Sequence, residues 1–167
     1  TCADPYDGTS GSTFTVGGSF SIEPTDTGAF NRYIGSGIEA DPYQIRDIYD
    51  LQAIKCDLDG HYKVMNDISA GLDPYYNVQD WNYNDSRSVY EGFEPIGLFV
   101  ESPVNDSVIF TGVIDGGSKV ITNFYTNQDP SAEKDATLIA YLANGGQVRN
   151  LGMEHVSISG HWAGGFI

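Results

Sequence analysis

Apolar and polar residues alternate over positions 13–22, TFTVGGSFSI, with Phe14, Val16, Phe20 and Ile22 on one side. A period of two predicts a strand or hairpin, and Gly17-Gly18 marks a bend or bulge within it. The period changes at residues 47–58. Ile48, Leu51, Ile54 and Leu58 are spaced 3, 3 and 4 apart, so they share one face of a helix. Asp47 is a good N-cap, Asp50 three residues on makes a weak capping box, and Gly60 is a natural stop. No other stretch reads as convincingly helical. HYKVMNDI (61–68) reads as a strand, and residues 69–92 as a long loop. Short β segments are expected near 93–99, 108–114, 118–126, 136–142, 147–153 and 155–159, most of them separated by Gly, Asn or Asp.

The later segments repeat. VITNFYT (120–126) aligns with QVRNLGM (147–153) at an offset of 27, matching Ile121, Asn123 and Phe124 to Val148, Asn150 and Leu151. Gly-Gly pairs precede both, at 116–117 and 145–146. Such a period suits stacked coils with an Asn ladder at the corners. Two similar hairpins in a β-sandwich would give the same pattern. On the coil reading the interior holds Val113, Ile121, Phe124, Leu138, Leu142, Val148, Leu151, Val156 and Ile158, with the 47–58 helix capping one end.

The order of several motifs resembles extracellular surface proteins with GLUG-type repeats. The residues are Gly35-Ser36-Gly37 through Asp41-Pro42-Tyr43 to Ile45, then Gly60, Tyr62, Asp67 and Ile68, then Pro95-Ile96-Gly97. Phe110, Gly112, Asp115 and Gly116 follow, leading into Ile121, Asn123 and Phe124, and then Val148, Asn150, Leu151 and Gly152. Trp162 to Ile167 look like the opening of another coil. The match covers roughly residues 35–167. It implies an all-β, right-handed parallel β-helix of bacterial or archaeal adhesin type, with no catalytic residues to carry over. Residues 1–34 lie outside it, as a cap or as a strand given to a neighbour, and 69–92 is an insertion.

Charge narrows the partners. Of 167 residues, 23 are acidic and 8 basic, a net charge of -15. Nucleic acid and anionic membrane surfaces are poor partners, since phosphate binding needs clustered Lys and Arg. The acid excess suits solubility in a salty exterior or binding of divalent cations. No apolar run is long enough to span a membrane. A start at Thr1 suggests a removed signal peptide, and hence an extracellular or cell-surface location. In that setting the two cysteines, Cys2 and Cys56, suggest one disulfide; two free thiols are the alternative.

The candidate chemistry is sparse. No nucleophile elbow, zinc helix or phosphate loop appears. Asp115, Lys119, Arg149, Glu154 and His155 form no set that a lyase or hydrolase would need. His61, His155 and His161 have no metal-ligand spacing. Asp57-x-Asp59-Gly60 partly matches a Ca²⁺ loop but lacks its remaining ligands. No cofactor is expected apart from that Ca²⁺ option. The richest segment is 69–92, where Tyr75, Tyr76, Trp81, Tyr83 and Tyr90 interleave with Asp, Asn and Gln. Such rings suit stacking on a sugar or a protein contact, or else bury one another. Asn84 and Asn105 begin glycosylation sequons.

These residues predict a non-catalytic structural or adhesive surface protein. The alternatives are a glycan-binding module built on the aromatic segment, or a carbohydrate-active enzyme. Because the chain stops at Phe166-Ile167 as another coil begins, an open edge is expected there. Either the chain is part of a longer stalk that continues the coil, or head-to-tail self-association covers the edge, bridged by the strand of Phe14, Val16, Phe20 and Ile22.

Overall fold

The computed structural model describes residues 33–71, 77–97, 109–132, 135–143 and 145–167. The 13–22 strand, Cys2, Tyr75, Tyr76 and Asn105 lie outside the described residues.

β1 (Tyr43–Ile45) leads into the one α-helix among the described residues, α1 (Ile48–Gln52), which tightens into a 3-10 turn at Ala53–Cys56. The Asp47 carboxylate caps it by accepting the Asp50 backbone N–H at 2.8 Å. Asp50 does not complete a capping box. Its carboxylate is buried and accepts from the Arg46 backbone N–H at 2.9 Å and from Arg46 Nε at 3.0 Å. Ile48, Leu51 and Ile54 are sealed from solvent, as their spacing predicts, whereas Leu58, expected on the same face, lies beyond the last helical turn and is half-buried. Gln52 clamps the helix to the segment after residue 90. Its amide donates to the Glu94 carbonyl at 2.7 Å, and its carbonyl accepts the Glu94 N–H at 2.8 Å.

The remaining strands are β2 (His61–Val64), β3 (Ile68–Ser69), β4 (Tyr83–Asn84), β5 (Val89–Tyr90), β6 (Val113–Thr122), β7 (Tyr125–Asn127), β8 (Asp135–Ala136), β9 (Gln147–Glu154), β10 (Ser157–Ser159) and β11 (Trp162–Ala163). β6 organises them. β2 pairs with its first half and β3 with its second, β1 extends the sheet beyond β2, and β9 runs along β6 as well. Every pairing in this five-stranded sheet is parallel. β7–β10 and β8–β11 are two-stranded parallel pairs, and β4–β5 is an antiparallel hairpin.

The expected right-handed parallel β-helix is not what forms. The sheets are short and open, and one is an antiparallel hairpin. Successive partners Tyr43↔Tyr62, Tyr62↔Ile114 and Ile114↔Val148 lie 19, 52 and 34 residues apart. Connections so unequal, one holding a helix and another a hairpin, cannot close as equal coils. The repeat offset of 27 is not the pairing register either. β6 and β9 pair at 34 in Ile114↔Val148 and at 32 in Ile121↔Met153, with a slip between Asp115 and Lys119. At the slip a Cβ on Gly116 would lie 2.4 Å from the Asn150 carbonyl oxygen, so only glycine fits without a shift. Asn123 and Asn150 form no ladder. Both sit at positive φ, with side chains directed to Ser69 and Asp115 respectively.

The core lies between α1 and the inner face of the large sheet, around Leu51, Tyr62, Ile114, Phe110 and Phe124. Of the expected interior, Ile121, Phe124 and Leu138 are fully buried. Leu142, Val148, Leu151 and Ile158 pack against the core but stay half-exposed, and Val113 faces outward beside the buried Ile114. Val156 is 44% exposed. β6 is covered on both flanks, whereas β9 pairs only with β6 among the described residues, so equivalent apolar residues bury less there.

Candidate functional site

Residues 77–92 form structure of their own instead of the long loop their sequence suggests. A 3-10 turn at Val78–Asp80 precedes the β4–β5 hairpin, whose register sets Tyr83 opposite Tyr90 and Asn84 opposite Val89. The turn closes when the Asn84 carbonyl and its side-chain oxygen both accept the Arg87 N–H at 3.2 Å. Asn82 and Ser88 adopt positive φ at the two ends of the hairpin. Asn tolerates that conformation through its short polar side chain. Here the Asn82 amide donates to the Gly92 carbonyl at 2.7 Å.

The base of the hairpin is anchored. Trp81 is 3% exposed, and its ring centroid lies 4.9 Å from that of Tyr49 on α1. Trp81 is therefore a core residue and not part of an exposed contact surface. One flank is fixed by polar groups that sequence reasoning did not single out. Arg87 donates to the Asn127 carbonyl on β7 at 3.0 Å and pairs with Glu91 at 3.4 Å. Asn84 Nδ2 donates to the same Glu91 oxygen at 2.6 Å, and the Tyr125 hydroxyl donates to the Tyr90 carbonyl at 3.2 Å. An Arg and a Glu four residues apart were a possible sequence signal, but their common partner on β7 was not.

What this frame presents is a pair of rings. Tyr83 and Tyr90 are 53% and 42% exposed, their centroids 4.9 Å apart and their planes at 59°. Neither hydroxyl has a partner among the described residues. Two tilted rings with free hydroxyls offer an apolar face and hydrogen-bonding edges together, the combination that sugar rings and protein hot spots use. Of the five aromatic residues singled out in 69–92, the structure brings these two together and buries Trp81.

The other candidates fall elsewhere. Asn84 is half-buried, and its amide nitrogen donates to Glu91. Cys56 is disulfide-bonded. Asp57 is half-buried, and burial, with the nearby Asp59 carboxylate, raises its pKa above the usual carboxylate range. No group of three or more His, Cys, Asp or Glu side chains is placed to hold a metal ion among the described residues. His161 Nδ1 lies 2.9 Å from the Pro130 carbonyl, and no helix among the described residues is long and apolar enough to cross a membrane. Asp115 and Arg149 do meet, at 3.2 Å. Lys119, Glu154 and His155 join neither of them in an ion pair among the described residues.

No family model matches the chain. It is similar to halomucin of Haloquadratum walsbyi, with 31% identity over 131 residues covering 77% of this chain. The chain spans 1% of the length of that relative. Among solved structures it is similar to a proposed immunoglobulin A1 protease from Bacteroides ovatus, with a TM-score of 0.51 and 21% identity. That likeness covers 75% of this chain and 30% of the other, and it is a likeness of fold alone.

Proposed function

We propose that this chain is part of an extracellular surface protein, structural or adhesive and non-catalytic, that uses the Tyr83–Tyr90 pair to hold a saccharide. The observation that carries the reading is the rigid presentation of two half-exposed rings. Leaving such rings half in water forgoes part of the roughly 1.5–3 kcal/mol that full burial of a large apolar side chain contributes, yet here the hairpin is pinned from three sides. Support for the surface location comes from the similarity to a protein named halomucin and from the disulfide at Cys56. Disulfides persist in oxidising exteriors. The net charge of -15 agrees with a highly solvated exterior. The GLUG-type resemblance belongs to the same reading.

A finer part of the proposal is self-association. β9 is eight residues long and has one strand neighbour, β6, among the described residues, and an open edge of that length accepts strand addition. A glycan array probed with the chain and with Tyr83→Ala/Tyr90→Ala tests the saccharide reading. Hits lost in the variant support it; identical profiles for the two proteins overturn it.

A further inference from the structure

The outward face of the large sheet carries a groove of about 290 Å³ that the hairpin does not share. Glu39 and Pro42 line one side, His61 and Lys63 come from β2, Asp115 from β6 and Arg149 from β9. Its chemistry follows from strand alternation. Tyr62 and Ile114 point inward and are buried, so their neighbours point out. The registers then place Lys63 beside Asp115 and Asp115 beside Arg149, one row across three strands. Adjacent strands are about 4.8 Å apart, which sets the backbones of Lys63 and Arg149 roughly 10 Å apart with Asp115 between them.

Asp115 is fully engaged. One oxygen accepts from the Gly117 N–H at 3.0 Å and from Asn150 Nδ2 at 3.2 Å, and the other accepts from Arg149 Nε at 3.2 Å. These donors hold its carboxyl below the usual range, so it stays ionised and serves as a fixed brace. Because it engages Arg149 only through Nε, both terminal amines of that guanidinium are without a partner among the described residues. The Lys63 ammonium is likewise without one. Arg46, Lys55 and Arg87 are each committed to an acid elsewhere. In a chain with 8 basic residues, two cations with free donors thus border one groove.

Free guanidinium amines and an ammonium select a carboxylate, which the planar fork can take in bidentate fashion. Glu39 and His61 supply acceptor and donor groups suited to hydroxyls, and Pro42 gives an apolar wall. The volume is at the small end for ligand sites, the size of a sugar unit or two. We propose that this groove binds a sugar-acid residue of an acidic saccharide, its carboxylate held by Arg149 and Lys63. It uses none of the hairpin residues, so this inference and the Tyr83–Tyr90 reading fail separately.

The test is titration of the 167-residue chain with a galacturonic acid trisaccharide at low ionic strength, followed by NMR. A short probe is used because the net charge of -15 repels long polyanions. Expected are shifts at His61, Lys63 and Arg149, and no binding of the neutral maltotriose. Lys63→Gln and Arg149→Gln should each weaken binding about tenfold or more, with the melting temperature within a few degrees of the parent. Asp115→Asn should weaken it too, by freeing the guanidinium. Binding of maltotriose as tight as that of the acid overturns the proposal. So does unchanged binding in a folded Lys63→Gln/Arg149→Gln variant, absence of binding at millimolar trisaccharide, or acetate binding as tightly as the trisaccharide.

Discussion

Two groups of aromatic rings in this molecule share contact geometry and differ in everything else. Tyr33, Tyr43, Tyr62 and Phe110 form a chain of rings with successive centroids 4.8, 5.5 and 6.5 Å apart, and Tyr62 at its centre is 1% exposed. The Tyr62 hydroxyl donates to the Asp57 carbonyl, and burial pushes its pKa up. Tyr83 and Tyr90 meet at a similar 4.9 Å but are half-exposed, and their hydroxyls have no partner among the described residues. Ring contact alone therefore does not separate core from site. What separates them is whether the polar end of each ring has a partner. A tyrosine built for the fold satisfies its hydroxyl, and one built for contact keeps it available.

The comparison is broken most forcefully from the buried side. Tyr62→Ala should cost about 3–5 kcal/mol, because it removes a ring and leaves a cavity between α1 and the sheet; urea unfolding measures this. Trp81→Ala should cost about 3 kcal/mol or more and should also loosen the hairpin, so saccharide binding falls although no contact residue has changed. Amide exchange across residues 81–92 reports the loosening. Tyr62→Phe isolates the hydroxyl, and its expected cost is about 1 kcal/mol for one buried hydrogen bond with its acceptor left unpaired.

Asp57 gives a pH handle on the same cluster. Its pKa is raised in the folded state by burial and by Asp59. The folded chain therefore holds this proton more tightly than the unfolded chain, and stability falls as pH rises from the unfolded carboxylate range through the raised value. Asp57→Asn should flatten that part of the pH–stability curve and raise stability at neutral pH; a curve parallel to the parent's contradicts the assignment. The smallest stability effect belongs to the exposed pair. Tyr83→Ala should shift unfolding by about 1 kcal/mol or less.

The sequence made local features legible and left non-local ones hidden. The N-cap at Asp47, the buried face of Ile48, Leu51 and Ile54 and the strand near 147–153 follow from periodicities that a few adjacent residues display, whereas the strand expected over 61–68 breaks after Val64 into β2 and β3. Partner choice does not. Ile121 aligns with Val148 as a pattern yet pairs with Met153, because the slip at Gly116 depends on how two backbones approach each other in space. Leu151 and Val156 have the residue types of a core, but flanking strands, not types, decide burial: among the described residues β9, which carries Leu151, pairs only with β6, and Val156 lies in the link to β10, which pairs only with β7. The site was half legible. The aromatic density of 69–92 pointed to it, but nothing in composition distinguishes Trp81, buried against Tyr49, from Tyr83 two residues later. The hairpin that separates them rests on Arg87 and Glu91 meeting Asn127 of β7, some 40 residues away.

The most direct test is calorimetric titration of a saccharide selected on the array, against the parent chain, Tyr83→Phe/Tyr90→Phe and Tyr83→Ala/Tyr90→Ala. The parent should bind, the Phe pair should keep the stacking and lose the hydroxyl contribution, and the Ala pair should lose binding while its melting temperature stays within a few degrees of the parent's. Full-strength binding by a folded Ala pair would contradict the assignment of this hairpin as the contact site.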